Sequence, residues 1–306
     1  MNTVAPGREA CAVYILTTCH LANDGLEDLT RLVASVRAAV DEGEVGQLRL
    51  MALLQGCSTA ECSEAARAMP QWVELLPTEA SLSSPAARNF LIVQLLEKAD
   101  FDPTAVAAFP DDDAWYPPGA LRCIKESFAE RRDSEFLITR RGPRPSAEEC
   151  SSLVRPSLQT VLSNASCNTI FLRRRLLDRL PGFDERLGLG TVLAGGEDTE
   201  FAIRAFNLAR DRTLYVHSTL VGHSVPDGAK KAKYYEGGLA AILAHSNDSL
   251  AGRLALIRKI AVGLWWVATM QLSTAKFCSA IRRARANAPA VRSRNSIPET
   301  RERARS

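Results

Sequence analysis

Three adjacent carboxylates, Asp111, Asp112 and Asp113, stand in the segment FPDDDAWYPPG, directly after an apolar run. Like charges at this spacing repel one another, so a bound cation would stabilise the arrangement. The hard cations Mg²⁺ and Mn²⁺ take oxygen ligands, commonly one or two carboxylates together with the phosphates of a substrate. The triplet therefore suggests a divalent cation that carries a nucleotide diphosphate. The alternative is an acidic turn that caps a helix starting near Pro117.

A second acidic pair, Glu197 and Asp198, lies in the segment GGEDTEF. If a helix begins at Thr199, two carboxylates before it would complement the positive end of the helix dipole. A carboxylate at a substrate site can also act as a general base that removes a proton from an attacking hydroxyl. Taken alone, the pair favours the dipole explanation. Taken together with the triplet upstream, it favours the base.

The elements that must position these side chains follow an alternating pattern. Alternation of strand-length apolar runs with helix-length periodic segments predicts an α/β fold with a largely parallel sheet covered by helices. Ligands bind beyond the carboxyl ends of the strands in such sheets, and the triplet directly follows the fourth strand. The predicted strands are Ala12–Leu16, Leu48–Leu54, Trp72–Leu76 and Ala105–Phe109, and the helices between them are Leu26–Val40, Thr59–Met69 and Ser84–Lys98.

The second half of the chain has a less regular rhythm. After the triplet, the pattern predicts one helix that continues to about Arg131. The later predicted elements are the strands Glu135–Arg141, Ala165–Leu172 and Leu214–Val221 and the helix Thr199–Arg210.

Four segments of the chain resemble, in order, the motifs of GT-A-fold glycosyltransferases, and specifically the large inverting family 2. They are VYILTTCH (13–20), LSSPAARN (82–89), FPDDDAWYPPGAL (109–121) and the run from NTIFLRR to GGEDTEF (168–201). The resemblance covers about residues 10–245 and implies a Rossmann-like, mostly parallel sheet flanked by helices. Beyond this domain we predict a C-terminal helical extension, 246–287, and a disordered basic tail, 288–306.

The resemblance also implies a reaction and a set of site residues. A divalent cation, Mg²⁺ or Mn²⁺, would stabilise the departing diphosphate of a nucleotide-sugar donor, with a UDP-sugar as the favoured candidate. The acceptor would be a saccharide, lipid-linked or small-molecule hydroxyl, in polysaccharide, glycolipid or glycosylated-metabolite assembly. The implied metal ligands are Asp111, Asp113 and His223; the donor contacts are Thr18, Arg88, Asn89, Asp111, Asp112 and Lys233; Asp198 is the base, with Glu197 beside it.

Several of these assignments have a plainer structural alternative. Arg88 can pair with phosphate oxygens through two parallel hydrogen bonds, but it could equally be a surface arginine. A single histidine such as His223 is more often structural than ligating. Lys233 precedes two tyrosines and could simply belong to a solvated helix face.

The sequence departs from the family pattern on the side that would recognise the nucleotide. The identity of the nucleotide therefore stays open, and two rival functions remain. Cys19 stands where the family commonly has an aromatic, and Leu54-Gln55-Gly56 stands where it commonly has Asp-Asp-Gly. One rival is a non-catalytic member that binds a sugar nucleotide or a partner protein. The other is a sugar nucleotidyltransferase, which would need a glycine-rich basic loop after the first strand. Residues 17–26, TTCHLANDGL, contain one glycine and no Lys or Arg, which disfavours it.

Composition narrows the class of protein further. The chain has 306 residues, 46% hydrophobic and 24% charged, with a formal net charge of +3. Eight Arg and two Glu between residues 282 and 306 give a local net of +6, which leaves −3 on the remainder, so a basic nucleic-acid-binding body is not indicated. The eight cysteines form no Cys-x-x-Cys pair and have no His at zinc spacing, which predicts reduced thiols in a cytoplasmic protein. The short apolar run Cys11–Leu16 suits a buried strand better than a signal peptide.

The C-terminal segment Leu250–Ala286 is predicted to be one long helix. Its apolar core, Ile260–Ala275, falls short of the ~20 residues that a membrane-spanning helix needs. Basic flanks and the pair Trp265 and Trp266 would suit peripheral attachment to an anionic membrane, at the inner face of the plasma membrane. The alternative is a helix packed on the catalytic domain or on a second subunit.

Overall fold

The computed structural model describes residues 11–21, 25–40, 48–98, 102–148, 153–224 and 234–293, with side chains up to residue 288. The strands are β1 (Val13–His20), β2 (Leu48–Gln55), β3 (Val73–Thr78), β4 (Val106–Ala108), β5 (Phe136–Gly142), β6 (Leu153–Val154), β7 (Ile170–Arg173) and β8 (Thr213–Gly222). The helices are α1 (Gly25–Ala38), α2 (Thr59–Arg67), α3 (Ser84–Leu96), α4 (Ala120–Glu130), α5 (Leu158–Asn164), α6 (Arg174–Leu177), α7 (Glu197–Ala209), α8 (Tyr235–His245), α9 (Leu250–Ala268) and α10 (Thr274–Ser293).

All eight strands form one sheet in the order β3-β2-β1-β4-β7-β5-β8-β6. The half built from β3, β2, β1 and β4 is parallel, as the alternating pattern predicts. In the other half, β7 runs antiparallel to both β4 and β5, β5 and β8 are parallel, and β6 is antiparallel to β8. The prediction of an α/β sheet flanked by helices is therefore confirmed, with antiparallel insertions in its second half.

The two faces of the sheet carry separate hydrophobic cores. Side chains alternate along β1, so that Val13 and Ile15 enter one core while Tyr14 and Leu16 enter the other. Helices α1, α2 and α4 cover the first face, and α3, α6 and α7 cover the second. Because the central strands are buried on both faces, their sequences are continuously apolar.

The C-terminal helices build a third core against the loop that precedes α7. Leu187 and Leu193 of that loop pack with Tyr235, Leu239 and the inner face of α10. Helix α9 ends at Ala268 and α10 begins at Thr274, so the prediction of one helix from residue 250 to 286 is wrong. No helix within the described residues is long and apolar enough to cross a membrane.

Four other sequence-based predictions need correction. The strand expected at 165–172 begins only at Ile170, after α5 and a 3-10 turn at Cys167–Thr169. The helix expected at Thr199 begins two residues earlier. α10 continues to residue 293, so the predicted disordered tail is wrong for 288–293, and 294–306 lie outside the described residues. Cys123 is disulfide-bonded, contrary to the expectation of reduced thiols. Among the described residues, the free cysteines are Cys11, Cys19, Cys57, Cys62, Cys167 and Cys278.

Candidate active site

The acidic triplet is held in place by Asn168, on the turn that leads into β7. The antiparallel pairing of Ala108 with Phe171 brings this turn to the end of β4. The backbone N–H of Asp111 donates to Asn168 Oδ1 at 2.7 Å, and Asn168 Nδ2 donates back to Asp111 Oδ2 at 2.7 Å. Asn168 is buried. Asn168 therefore holds both the backbone and the carboxylate of Asp111, through one hydrogen bond to each.

His223 reaches the same place because the end of β8 pairs with the segment after the triplet. The N–H of Trp115 donates to the carbonyl of Gly222 at 3.1 Å, and the N–H of Gly222 donates to the carbonyl of Trp115 at 2.7 Å. A Cβ on Gly222 would lie 2.0 Å from the Trp115 ring, so the close approach requires glycine. Nε2 of His223 consequently lies 3.4 Å from Asp113 Oδ1 and 3.7 Å from Asp111 Oδ2.

These three side chains have the chemistry of a divalent-cation site. Asp111, Asp113 and His223 each offer one ligand atom, and the three atoms lie within 4.8 Å of one another. Nδ1 of His223 lies 2.6 Å from the carbonyl oxygen of Ser224, which can only accept, and 3.1 Å from Arg141 Nη1, which can only donate. The shorter contact favours the tautomer with the proton on Nδ1, which leaves the lone pair of Nε2 for a metal. The two carboxylates suit Mn²⁺ or Mg²⁺, and the imidazole is a ligand more typical of transition metals than of Mg²⁺.

Arg88, on the buried face of α3, lies between the triplet and the second acidic pair. Its Nη2 donates to Asp111 Oδ1 at 2.7 Å and lies 2.9 Å from Cys167 Sγ. Its Nη1 lies 3.6 Å from Asp198 Oδ1 and 3.9 Å from Glu197 Oε1. The side chain is only 6% exposed. One buried guanidinium thus faces both groups of carboxylates. Direct contact of Arg88 with phosphate remains a prediction.

The acidic pair occupies the first turn of α7. Gly196 before it has φ +92°, and a Cβ there would lie 2.3 Å from the backbone of Gly237 in α8. This close approach sets where α7 begins. Glu197 and Asp198 therefore do lie at the positive end of the helix dipole, as one of the two explanations predicts. The same position also turns them towards Arg88, so the two explanations are compatible.

The electrostatics of the triplet are uneven. Burial raises the pKa of Asp111, but the Arg88 charge and the Asn168 hydrogen bond outweigh it and hold the pKa below its ordinary value. Burial, together with the charges of its two neighbours, raises the pKa of Asp112 to about 7. Asp111 is therefore ionised at neutral pH. Asp112 is partly protonated at neutral pH, which lowers the total negative charge of the triplet.

The acidic pair shows a similar division. Burial and the charge of Asp198 raise the pKa of Glu197 to about 7, although Arg88 opposes the shift. Burial would lower the pKa of Arg88, but the carboxylates around it raise the pKa above its ordinary value. Arg88 is therefore a permanent cation, whereas Glu197 is about half protonated at neutral pH.

The remaining predicted donor-binding residues are placed as follows. Asn89 is occupied within the protein: its Nδ2 donates to the carbonyl of Phe183 and to Glu185 Oε1, both at 2.9 Å, and its Oδ1 accepts from Phe183 N–H at 2.6 Å. It ties α3 to the GFDE loop. Thr18 is half-buried near the carboxyl end of β1. Lys233 lies outside the described residues.

The side expected to recognise the nucleobase is built differently from the family pattern. Cys19 is buried in the core. Gln55, which replaces an aspartate, uses Oε1 to accept a hydrogen bond from the backbone N–H of Leu82 at 2.7 Å. Gln55 therefore fixes the loop that leads into α3.

Sequence reasoning missed the positioning residues of the site. Asn168 was noted only as part of a strand, and Gly222 and Cys167 were not singled out. Their roles depend on contacts between residues far apart in the chain, such as Asp111 and Asn168, whose sequence separation is 57. The one available signal was the asparagine that opens NTIFLRR, because a polar residue before a buried strand needs a hydrogen-bond partner.

No protein-family model matches the sequence, and no curated protein matches it. Solved structures do have similar folds. S. aureus TarS 1–349 in complex with UDP has a TM-score of 0.54 and 15% identity, covering 76% of this chain and 65% of that one. The mannosyltransferase PcManGT from Pyrobaculum calidifontis, in complex with GDP-Man and Mn²⁺, has a TM-score of 0.56 and 13% identity, covering 96% and 86%. GalNAc-T7 with UDP, GalNAc and Mn²⁺ has a TM-score of 0.54 and 13% identity, covering 77% and 48%.

These neighbours are glycosyltransferases of the GT-A type, so the chain has the GT-A fold and that prediction is confirmed. The chain spans 40% of the length of the full S. aureus TarS structure. At these identities the likeness establishes the fold, and the reaction must be argued from the site.

Proposed function

We propose that this chain is an inverting glycosyltransferase of the family 2 type, which transfers a hexose from a nucleotide-diphosphate sugar to a hydroxyl acceptor. The proposal rests on one observation: the acidic triplet and the acidic pair of α7 both lie next to the same buried cation. Arg88 lies 2.7 Å from Asp111 of the candidate metal set and 3.6 Å from Asp198, the candidate base. A purely structural acidic turn and a separate helix cap would have no reason to share a guanidinium.

Asp198 is the proposed general base. Its side chain is 24% exposed, whereas Glu197 beside it is more deeply buried. Because the pKa of Glu197 is raised to about 7, much of that carboxyl is protonated at neutral pH and cannot accept a proton. Asp198 therefore takes the proton of the acceptor hydroxyl. The hydroxyl oxygen then forms its bond to the anomeric carbon as the bond from that carbon to the diphosphate oxygen breaks.

The proposed metal ligands are Asp111, Asp113 and His223. A Mg²⁺ or Mn²⁺ ion bound there would offset the negative charge of the leaving diphosphate. Other residues would hold these ligands in place: Asn168 and Arg88 donate hydrogen bonds to the Asp111 carboxylate, and the Ser224 carbonyl and Arg141 both contact Nδ1 of His223. The proposed donor-binding residues remain Thr18, Arg88, Asn89, Asp112 and Lys233. Arg88 and Asn89 would act indirectly, Arg88 by holding the carboxylates and Asn89 by holding the GFDE loop.

The neighbours solved with UDP and with GDP-Man support a sugar-nucleotide donor, and we propose a UDP-sugar as the first candidate. The acceptor is a saccharide, lipid-linked or small-molecule hydroxyl. The proposal includes a cytoplasmic location, with the inner face of the plasma membrane as the candidate membrane surface.

The test combines binding and turnover. Thermal melting is measured with UDP-, GDP- and dTDP-sugars, each with and without Mn²⁺, and nucleoside diphosphate release is then measured with the donor that stabilises the chain. We expect stabilisation that needs both nucleotide and metal. Asp198→Asn should abolish release and retain donor stabilisation, because the amide cannot accept the proton. Asp178→Asn, an exposed aspartate that pairs with Arg174, is the matched control and should retain activity.

Two results would contradict this assignment. Near-normal turnover by Asp198→Asn would remove Asp198 as the base. Metal-dependent donor binding without turnover, for any donor and a broad set of acceptors, would favour the non-catalytic sugar-nucleotide-binding alternative.

A further inference from the structure

The outer face of α9 exposes a stripe of large apolar side chains. These residues recur at helical spacing, so they lie along one side of the helix. Met270, just past the end of the helix, is 90% exposed. The stripe, with its exposed fractions, consists of Leu250 (72%), Leu254 (57%), Ile257 (63%), Leu264 (53%) and Trp265 (65%). Single exposed apolar residues are ordinary, but a continuous stripe is typical of a surface that binds something.

The opposite face of α9 is fixed tightly to the domain, so the stripe cannot rotate inward. Gly263 lies against Tyr235 and Phe277, where a Cβ would lie 2.2 Å from the Tyr235 hydroxyl oxygen and 2.4 Å from the Phe277 ring. The hydroxyl of Tyr235 donates to the backbone carbonyl of Lys259 at 2.9 Å. The orientation of the helix is therefore set by close contacts on one side, and the apolar residues face outward as a consequence.

From the first residue of the stripe up to residue 298 the charged residues are all basic, although Asp248 stands two residues before it. Residues 250–298 contain nine Lys and Arg and no Asp or Glu. Arg253 and Arg258 are exposed on α9 itself, and Lys276 and Arg282 are exposed on α10. An apolar stripe flanked by cations complements a surface with an anionic outer layer and an apolar interior.

We propose that the outer face of α9 binds an anionic lipid bilayer, with the helix lying in the plane of the interface. The apolar side chains would enter the region between headgroups and acyl chains, and the arginines would meet lipid phosphates. A second copy of the chain is the less suitable occupant. A two-fold symmetric contact places the same surface against itself, which would bring the basic residues of both copies together.

The test uses the full chain and vesicle sedimentation. Vesicles of phosphatidylcholine alone are compared with an equimolar mixture of phosphatidylcholine and phosphatidylglycerol, at low and high salt. We expect binding to the anionic vesicles, weaker at high salt. The triple variant Leu254→Ser/Ile257→Ser/Trp265→Ser should lower the partition coefficient by about ten-fold or more, since three exposed apolar side chains no longer insert. Val154→Ser, which removes an exposed apolar side chain from β6, should leave binding unchanged.

A second measurement does not depend on the triple variant. Bromine-labelled acyl chains in the anionic vesicles should quench tryptophan fluorescence of the native chain, and Trp265→Phe should remove most of that quenching. The proposal is overturned if anionic and neutral vesicles bind equally, if neither binds, or if the triple variant binds like the native chain. It is also overturned if light scattering shows a dimer that the triple variant converts to monomer, because the stripe would then be an interface between two copies.

Discussion

Replacing Arg88 by methionine tests whether one buried cation stabilises both acidic groups. Methionine keeps an apolar stem of similar length and removes the charge. Removing one partner of a buried ion pair typically costs about 3–5 kcal/mol, because the remaining charge is left uncompensated. The partners of Arg88 are only partly buried, with Asp111 34% and Asp198 24% exposed. Allowing for solvent screening, we expect a loss of about 2–4 kcal/mol at neutral pH.

This loss can be converted to a melting temperature. At about 2.1 cal/mol/K per residue, a chain of 306 residues has an unfolding entropy of about 0.6 kcal/mol/K. The expected loss therefore corresponds to a decrease of about 3–6 °C, measured by circular dichroism without added metal. Arg31→Met is the matched control. Arg31 lies 2.6 Å from Asp28 but is 51% exposed, so its pair should contribute about 0.5 kcal/mol or less.

The pH dependence of the Arg88→Met deficit separates charge from packing. The folded-state pKa of Asp111 is lowered, so its contribution to stability is fully present above the ordinary value of 3.8 and is lost as the pH falls through the folded-state pKa. The melting-temperature deficit of Arg88→Met should therefore be largest near neutral pH and shrink in acid. A deficit no larger than that of Arg31→Met, or one that stays constant with pH, would refute the electrostatic explanation.

Two further predictions concern the neighbours of this cluster. Gly222→Ala should force the Trp115 ring to move, at a cost of about 1–3 kcal/mol, and should weaken Mn²⁺ binding in titration calorimetry because His223 is displaced. Gly142→Ala is the control, since its Cβ would meet only the Thr219 methyl at 3.3 Å; equal effects of the two substitutions would contradict the geometry. Glu197→Gln should flatten the pH dependence of stability, because a carboxyl whose pKa rises from 4.5 to about 7 on folding destabilises the fold progressively across that interval as pH rises. Melting temperatures without metal check this, and parallel pH profiles for the native chain and Glu197→Gln would contradict it.

The parallel half of the fold is readable from sequence because its strands are buried on both faces. Such strands appear as continuous apolar runs, and the helices between them have a different period, so each element carries its own signal. The second half is less readable. β6 has two residues, too few for a periodic pattern, and Cys167–Thr169 forms a 3-10 turn where the apolar sequence predicts strand. The break between α9 and α10 also lacks a proline or glycine: Met270 adopts φ +60° without one.

The site divides in the same way, into what is local in sequence and what only folding brings together. The triplet and the pair at 197–198 are recognisable because their carboxylates are consecutive, and the resemblance placed Arg88 among the functional residues. Its position beneath both acidic groups depends on the packing of α3 against the sheet, for which the sequence carries no signal. The same holds for Gly222, whereas Asn168 gives only the weak signal of a polar residue before a buried strand.

The shared position of Arg88 has a consequence for how the two halves of the site act together. The Arg88 guanidinium is a buried cation that lies between Asp111 on one side and Glu197 and Asp198 on the other. A cation bound at Asp111 and Asp113 would offset part of the negative charge that Arg88 balances. More of the guanidinium field would then act on the pair in α7, where burial and the charge of Asp198 raise the pKa of Glu197. A cation at the triplet should therefore favour the ionised form of Glu197, through the one side chain that both acidic groups share.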